Sequence, residues 1–182
     1  MSLTWLPNII TLLRCAFAFG IGALILVVDR ASWLPLIAFG LIAATDFVDG
    51  WLARHLKAVS AFGAFLDPLA DKLLVGVSLL AISYLEQWTL SLVIPTIAIL
   101  ARDIIATGLR LVPNIDMPVS RLAKWKTAIE MLGISALLAA IPSAIPFVWA
   151  IGLVLVWGAA ALSLYTLGLY LGALAPDGKR PR

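Results

Sequence analysis

Charge is scarce in this sequence. Only 13% of its 182 residues are Asp, Glu, Lys or Arg, and 63% are hydrophobic, whereas about a quarter of the residues in soluble domains are charged. That shortage excludes a soluble globular protein, and also a soluble domain carried on one membrane anchor. The composition instead predicts an all-α integral membrane protein.

Cysteine and histidine are nearly absent as well. Cys15 is the only cysteine and His55 is the only histidine. A single cysteine cannot form an internal disulfide, and the two residues do not make a Cys/His metal-binding pattern. A metal ion in this protein would therefore be held by oxygen ligands.

The N-terminus, MSLTWLPN, lacks the basic segment of a secretory signal peptide, and the apolar run behind it is too long for one. We therefore expect the first apolar segment to remain as an uncleaved membrane helix. No repeats, low-complexity tracts or soluble linkers interrupt the chain. The sequence predicts one membrane domain over residues 1–182.

Long apolar runs fill the sequence and are separated by short polar or turn-forming breaks. A membrane helix needs about 20 apolar residues, and irregular backbone cannot face lipid, so each run predicts a helix. The predicted transmembrane helices are Asn8–Val28, Trp33–Arg54, Phe62–Leu85, Trp88–Leu111, Arg121–Ile141 and Ile145–Leu174. The last is long enough to tilt or to contain a break.

Lysine and arginine are distributed unevenly between the two sides of these helices. Most of them lie in the second and fourth connections and in the C-terminal tail, and the opposite connections hold only Arg30, beside Asp29. Positively charged loops stay in the cytoplasm. The sequence therefore predicts that both termini and the even-numbered connections are cytoplasmic, most simply at a bacterial inner membrane.

Four aspartates stand out at the cytoplasmic ends of the second and third predicted helices. Asp46 and Asp49 are three residues apart, and Asp67 and Asp71 are four apart, so each pair lies on one face of its helix. We expect the two faces to meet around a polar cavity open to the cytoplasm.

So many carboxylates at close range could not all stay ionised without compensating positive charge. Oxygen ligands alone favour hard divalent cations such as Mg²⁺ or Mn²⁺, and two such ions would balance the four acids. Two alternatives stay open on the residues alone. The aspartates could form a network of buried ion pairs, or they could line an ion or proton path in a transporter.

The spacing of this segment matches a complete family signature. Residues 46–71 read D-x2-D-G-x2-A-R-x8-G-x3-D-x3-D, with all eight fixed positions filled. This pattern resembles that of the CDP-alcohol phosphotransferases. The resemblance implies a six-helix membrane enzyme, commonly a homodimer, that displaces CMP from a CDP-linked alcohol with a second alcohol.

The resemblance also implies roles for individual residues. Asp46, Asp49, Asp67 and Asp71 would bind two divalent ions, Mg²⁺ or Mn²⁺, and Asp71 would also be the general base. The N-terminal stretch PNIITLLR resembles the family's entry segment. Residues implied to bind the CDP-diacylglycerol substrate are Thr11, Arg14, Gly50, Arg54, Ser60 and Gly63.

Two downstream stretches bear on the acceptor alcohol. They read ARDIIATGLR and MPVSRLAKWKTAIEM, and both resemble segments of the phosphatidylglycerophosphate synthases within this family. Asp103 stands where those proteins usually have Glu, and Glu130 where they have Gln. The basic residues here predict an acceptor that carries a phosphate, and those expected to bind it are Arg102, Arg110, Lys124 and Lys126.

The resemblance therefore implies transfer of a phosphatidyl group from CDP-diacylglycerol to glycerol 3-phosphate, a step of phospholipid biosynthesis. The basic residues have a second interpretation, since positive charge at the cytoplasmic ends of helices is also a plain topology signal. Alternative acceptors are phosphatidylglycerol, as in cardiolipin synthesis, and inositol phosphate. A divalent-cation or proton-coupled transporter is the alternative from a different class.

Overall fold

The part of the chain that the structure describes forms six α-helices. A computed structural model describes the backbone of residues 5–56, 61–110 and 121–174, and the side chains of residues 13–45, 72–109 and 125–172. In chain order the helices are α1 Trp5–Val27, α2 Leu34–Leu56, α3 Ala61–Leu85, α4 Leu90–Arg110, α5 Arg121–Ser143 and α6 Pro146–Leu174. The predicted all-α architecture and the number of helices are confirmed.

Helix boundaries agree with the sequence prediction to within three residues, and one of the differences, at the start of α4, has a clear physical cause. Gln87 and Trp88 have positive φ angles of 53° and 57°, which an α-helix cannot contain. The helix therefore begins at Leu90 rather than at Trp88. The final helix, α6, runs without a break over 29 residues.

Three connections meet at one end of the bundle. The guanidinium of Arg30, between α1 and α2, donates to the carbonyl oxygen of Leu85 at 3.0 Å and to Oε1 of Glu86 at 2.5 Å. Asp29 also shares a small cleft with Pro142, at the end of α5. The helix ends at residues 56, 61, 110 and 121 therefore lie at the opposite end.

Glycine allows α5 and α6 to approach each other closely. A Cβ added at Gly133 would lie 2.9 Å from Val156 Cγ2, and one at Gly152 would lie 2.9 Å from the backbone nitrogen of Leu137. Small residues at helix contacts are common in membrane proteins, where backbone proximity and dispersion hold helices together. The indole nitrogen of Trp157 also donates to the carbonyl oxygen of Ser91 at 2.8 Å, joining α6 to α4.

The bundle has an apolar interior and an apolar exterior. Phe39, Leu79 and Leu137 are fully buried, whereas large apolar side chains such as Phe19 and Val154 are 59% and 71% exposed. Within the described side chains, three stretches are long and apolar enough to cross a membrane: Leu90–Leu109, Trp125–Ser143 and Pro146–Gly172. These features indicate an integral membrane protein, and the full six-span topology stays a prediction.

Candidate functional site

The four aspartates of the signature occupy two helices. Positions 46 and 49 fall within α2, and positions 67 and 71 fall within α3. Helical backbone at these positions keeps each pair on one helix face, as the spacing predicted. Their side chains lie outside the described residues, so the predicted metal site and the general base stay predictions. Among the side chains that are described, no group of three or more potential metal ligands occurs.

Of the residues expected to bind CDP-diacylglycerol, one has a described side chain. Arg14, on α1, is only 6% exposed. A buried guanidinium on the helix that resembles the family's entry segment is compatible with that role. The side chains of the other predicted residues lie outside the described part of the chain, and these are Thr11, Gly50, Arg54, Ser60 and Gly63.

A cluster of buried charges joins α4 to α5. Oδ1 of Asp103 accepts hydrogen bonds from Arg102 Nη1 at 2.9 Å and from Lys126 Nζ at 2.7 Å. Lys126 Nζ also lies 3.1 Å from Glu130 Oε1 and forms an ion pair with it one turn along α5. All four side chains are less than a tenth exposed. We call these four residues the buried charge cluster.

Helices α3 and α6 complete the surroundings of this cluster. Lys72 Nζ donates to the carbonyl oxygen of Asp103 at 3.1 Å and to the hydroxyl of Thr107. From α6, Thr166 Oγ1 lies 3.3 Å from Arg102 Nη2, and the Tyr170 ring lies under the guanidinium with its centroid 5.6 Å from Cζ. Because Lys72 follows Asp71 directly on α3, the cluster adjoins the predicted metal site along that helix.

Not every polar atom in the cluster is satisfied. Within the described part of the chain, Nε of Arg102 and Oε1 of Glu130 are buried and have no hydrogen-bond partner, and the same holds for Oγ of Ser163 on α6. Buried polar groups are normally hydrogen-bonded, and an unpaired one costs about 1–3 kcal/mol. A guanidinium edge with a spare N–H, close to an ammonium, suits an anionic group such as a phosphate.

The cluster bears on the four residues expected to bind the acceptor phosphate. Arg102 and Lys126 are brought together on one carboxylate oxygen. A charged side chain in an apolar bundle needs a partner, and Asp103 provides one for Arg102. Arg110 and Lys124 fall within α4 and α5, but their side chains lie outside the described residues, so their role stays a prediction.

Sequence reasoning missed the contribution of α6. No site residue is predicted beyond Lys126, yet Thr166 and Tyr170 contact Arg102. A signal was present, because Ser163, Thr166 and Tyr170 follow an i, i+3, i+7 spacing on an otherwise apolar helix. Polar residues that share one face of a membrane helix indicate an interior contact.

Comparison with known proteins identifies the family. The model of the CDP-alcohol phosphatidyltransferase family matches residues 4–165 of this chain. The chain therefore belongs to the CDP-alcohol phosphatidyltransferase family, and the assignment predicted from the eight-position signature is confirmed.

Several similar proteins carry one name, CDP-diacylglycerol–glycerol-3-phosphate 3-phosphatidyltransferase. The protein from Cereibacter sphaeroides is 41% identical over 137 residues, which are 72% of this chain and 62% of that protein. The one from Rickettsia bellii is 38% identical over 170 residues, covering 88% of this chain and 90% of that protein. The one from Pectobacterium atrosepticum is 36% identical over 183 residues, covering 97% and 98% respectively. The resemblance to this branch of the family is thus confirmed.

Proposed function

We propose that this protein transfers the phosphatidyl group of CDP-diacylglycerol to sn-glycerol 3-phosphate, giving phosphatidylglycerophosphate and CMP. One observation supports an acceptor with a phosphate: Arg102 and Lys126 lie together on one buried carboxylate oxygen in a member of this family. An acceptor with its own phosphate is the ligand that such a pair favours. The product places the reaction in phosphatidylglycerol and cardiolipin synthesis.

The names of the similar proteins support the same acceptor. The proteins from Rickettsia bellii and Pectobacterium atrosepticum align with this chain over 88% and 97% of its length. Both names specify glycerol 3-phosphate. The similarity therefore covers α4 and α5, which hold the buried charge cluster, as well as the segment with the aspartates.

The chemistry of the cluster suits phosphate. Arginine can donate two parallel hydrogen bonds to phosphate oxygens, whereas lysine acts as a mobile point charge. Nε of Arg102 has no partner within the described residues, so this donor is available without breaking a bond to Asp103. Arg110 and Lys124 would add further positive charge toward the cytoplasmic ends of α4 and α5.

For the donor substrate, Asp46, Asp49, Asp67 and Asp71 would hold two divalent ions, Mg²⁺ or Mn²⁺. Four carboxylates without nitrogen or sulfur ligands fit these hard cations. When bound, the ions would neutralise the pyrophosphate and stabilise charge on the departing CMP. Asp71 would take the proton of the attacking hydroxyl. Thr11, Arg14, Gly50, Arg54, Ser60 and Gly63 would orient the nucleotide and its phosphates.

Membrane placement follows from the distribution of lysine and arginine. The cavity would open to the cytoplasm of a bacterial inner membrane, where soluble glycerol 3-phosphate can enter. The acyl chains of CDP-diacylglycerol would remain in the bilayer. We further propose that residues 1–182 act as one domain, and that the chain works as a homodimer, as the family resemblance implies.

An acceptor panel tests this function. Purified protein is supplied with CDP-diacylglycerol and Mg²⁺, and CMP release is followed with glycerol 3-phosphate, glycerol, phosphatidylglycerol or inositol phosphate. We expect rapid release with glycerol 3-phosphate and very little with glycerol. Faster release with phosphatidylglycerol or inositol phosphate would replace the acceptor. No release with any alcohol would leave the transporter hypothesis to be tested by ion flux.

A single substitution tests the acceptor site. Arg110→Ala should raise KM for glycerol 3-phosphate by about ten- to a hundredfold, since a charged hydrogen bond contributes about 1.5–3 kcal/mol. KM for CDP-diacylglycerol should remain nearly unchanged. Arg30→Ala is the matched control, because Arg30 pairs with Glu86 at the opposite end of the bundle. If Arg110→Ala, Arg102→Ala and Lys126→Ala all leave the acceptor KM unaltered, these cations do not bind the acceptor and are only a topology signal.

A further inference from the structure

Asp103 is the common contact of cations from three helices. One of its carboxylate oxygens accepts from Arg102 Nη1 on α4 and from Lys126 Nζ on α5, at 2.9 and 2.7 Å. Its backbone carbonyl accepts from Lys72 Nζ on α3 at 3.1 Å. The residue is 7% exposed, so water screens these contacts little.

The guanidinium of Arg102 is held on several sides. Its Nη1 bonds Asp103, its Nη2 lies 3.3 Å from the Thr166 hydroxyl, and its Cζ lies over the Tyr170 ring. Only Nε lacks a hydrogen-bond partner among the described residues. The orientation of the guanidinium is therefore fixed, and one donor is left unused.

Two cations this close would repel each other without an anion between them. The Asp103 carboxylate lies between Arg102 and Lys126 and opposes their separation. An arrangement fixed before the ligand arrives lowers the entropy lost on binding. The position of this one carboxylate therefore sets the spacing and direction of both donors.

We propose that Asp103 is a positioning residue for the acceptor, holding Arg102 and Lys126 in the arrangement in which both contact the acceptor's phosphate. This inference rests on the proposed function. Asp103 itself does not touch the acceptor, because its carboxylate would repel the phosphate. Its effect passes through the two cations.

Two other roles for Asp103 predict different results. If it merely competed with phosphate for the cations, removing its charge would lower KM for glycerol 3-phosphate. If it only fastened α4 to α5, its loss would lower thermal stability without a selective change in KM. A positioning role predicts a selective increase in the acceptor KM.

Two substitutions and one control form the test. Asp103→Asn removes the charge at nearly constant shape, and Asp103→Glu is the conservative variant, which keeps the charge with the residue usual at this position in the phosphatidylglycerophosphate synthases. Ser135→Ala is the control on α5, where the hydroxyl donates to the carbonyl of Met131 in its own helix at 2.8 Å. For each protein we would measure KM for glycerol 3-phosphate, KM for CDP-diacylglycerol, kcat and Tm.

We expect Asp103→Asn to raise KM for glycerol 3-phosphate about tenfold or more, with KM for CDP-diacylglycerol unchanged. Asp103→Glu keeps the charge and should leave the acceptor KM near that of the wild type, as should Ser135→Ala. An acceptor KM that stays the same or falls in Asp103→Asn would overturn the proposal. Should that variant fail to fold, Asp103→Ser decides: a raised acceptor KM supports the proposal, and an unchanged one overturns it.

The wild type separates this inference from the proposed function. If wild-type protein releases no CMP with glycerol 3-phosphate, the proposed function fails. If it does release CMP and the Asp103 variants keep the wild-type acceptor KM, the proposed function stands and only the positioning role fails.

Discussion

Lys126→Met should destabilise the protein far more than Glu130→Gln. Methionine keeps an unbranched chain and removes the ammonium that lies 2.7 Å from Asp103 and 3.1 Å from Glu130. Asp103 would retain Arg102 at 2.9 Å. Glu130 would be left without a cation within 4 Å among the described side chains.

The expected magnitude follows from that loss. Removing one member of a buried ion pair costs about 3–5 kcal/mol, because the remaining charge is uncompensated. In a protein of this size, each kcal/mol shifts Tm by about 2–4 °C. Lys126→Met should therefore lower Tm by about 6–20 °C. Glu130→Gln should cost about 1 kcal/mol or less, since Lys126 keeps its bond to Asp103.

Thermal unfolding in detergent, followed by intrinsic fluorescence, measures these differences. The double variant Lys126→Met/Glu130→Gln provides the sharpest test, because it removes the uncompensated carboxylate. Its Tm should lie above that of Lys126→Met alone, a coupling that only interacting residues produce. Additive losses, or a wild-type Tm in Lys126→Met, would refute the assignment of an ionic contact to this pair.

Three further outcomes are expected. Asp67→Asn should abolish CMP release while the protein still folds. EDTA should abolish CMP release by the wild type until Mg²⁺ or Mn²⁺ is restored, and full activity in EDTA would contradict the metal-dependent mechanism. Gly152→Ala should lower Tm, because its Cβ would lie 2.9 Å from a backbone nitrogen. Gly158→Ala should not lower Tm, because a Cβ there would have no neighbour within 4 Å. Equal melting temperatures for the two variants would show that α5 and α6 can move apart. In a cysteine-free background, Lys57→Cys should be labelled only from the cytoplasmic side and Gln87→Cys only from the opposite side. The reverse labelling pattern would place the cavity on the wrong side for soluble glycerol 3-phosphate.

The helices could be predicted from the sequence because the membrane leaves the backbone few choices. Apolar runs must satisfy their own hydrogen bonds, so each becomes a helix that ends where polar or turn residues begin. The start of α4 was harder to predict from the sequence, because Gln87 and Trp88 adopt positive φ angles. Glutamine and tryptophan do not predict a positive φ angle, which glycine or asparagine adopts more readily.

The buried charge cluster was only partly predictable, for a different reason. The depth of Arg102 called for a partner, and the adjacent Asp103 was an evident candidate. The pairing of Lys126 with the same carboxylate depends on how α4 and α5 pack, which helix periodicity does not determine. The contacts from Thr166 and Tyr170 depend on the packing of α6 against α4 and could not be placed by local pattern alone.

The balance of charge in the cluster explains how it can lie in an apolar bundle. An unpaired charge at the centre of a membrane helix costs about 2.5–3.5 kcal/mol on insertion scales. Here the two cations, Arg102 and Lys126, are matched by two carboxylates, Asp103 and Glu130. The helices can therefore pack around the cluster before any ligand binds. A neutral cluster, however, attracts an anion only weakly at a distance. Recognition of an acceptor phosphate must then depend on well-placed donors, such as Nε of Arg102, which has no hydrogen-bond partner among the described residues. The position of the Asp103 carboxylate therefore matters more than the number of cations.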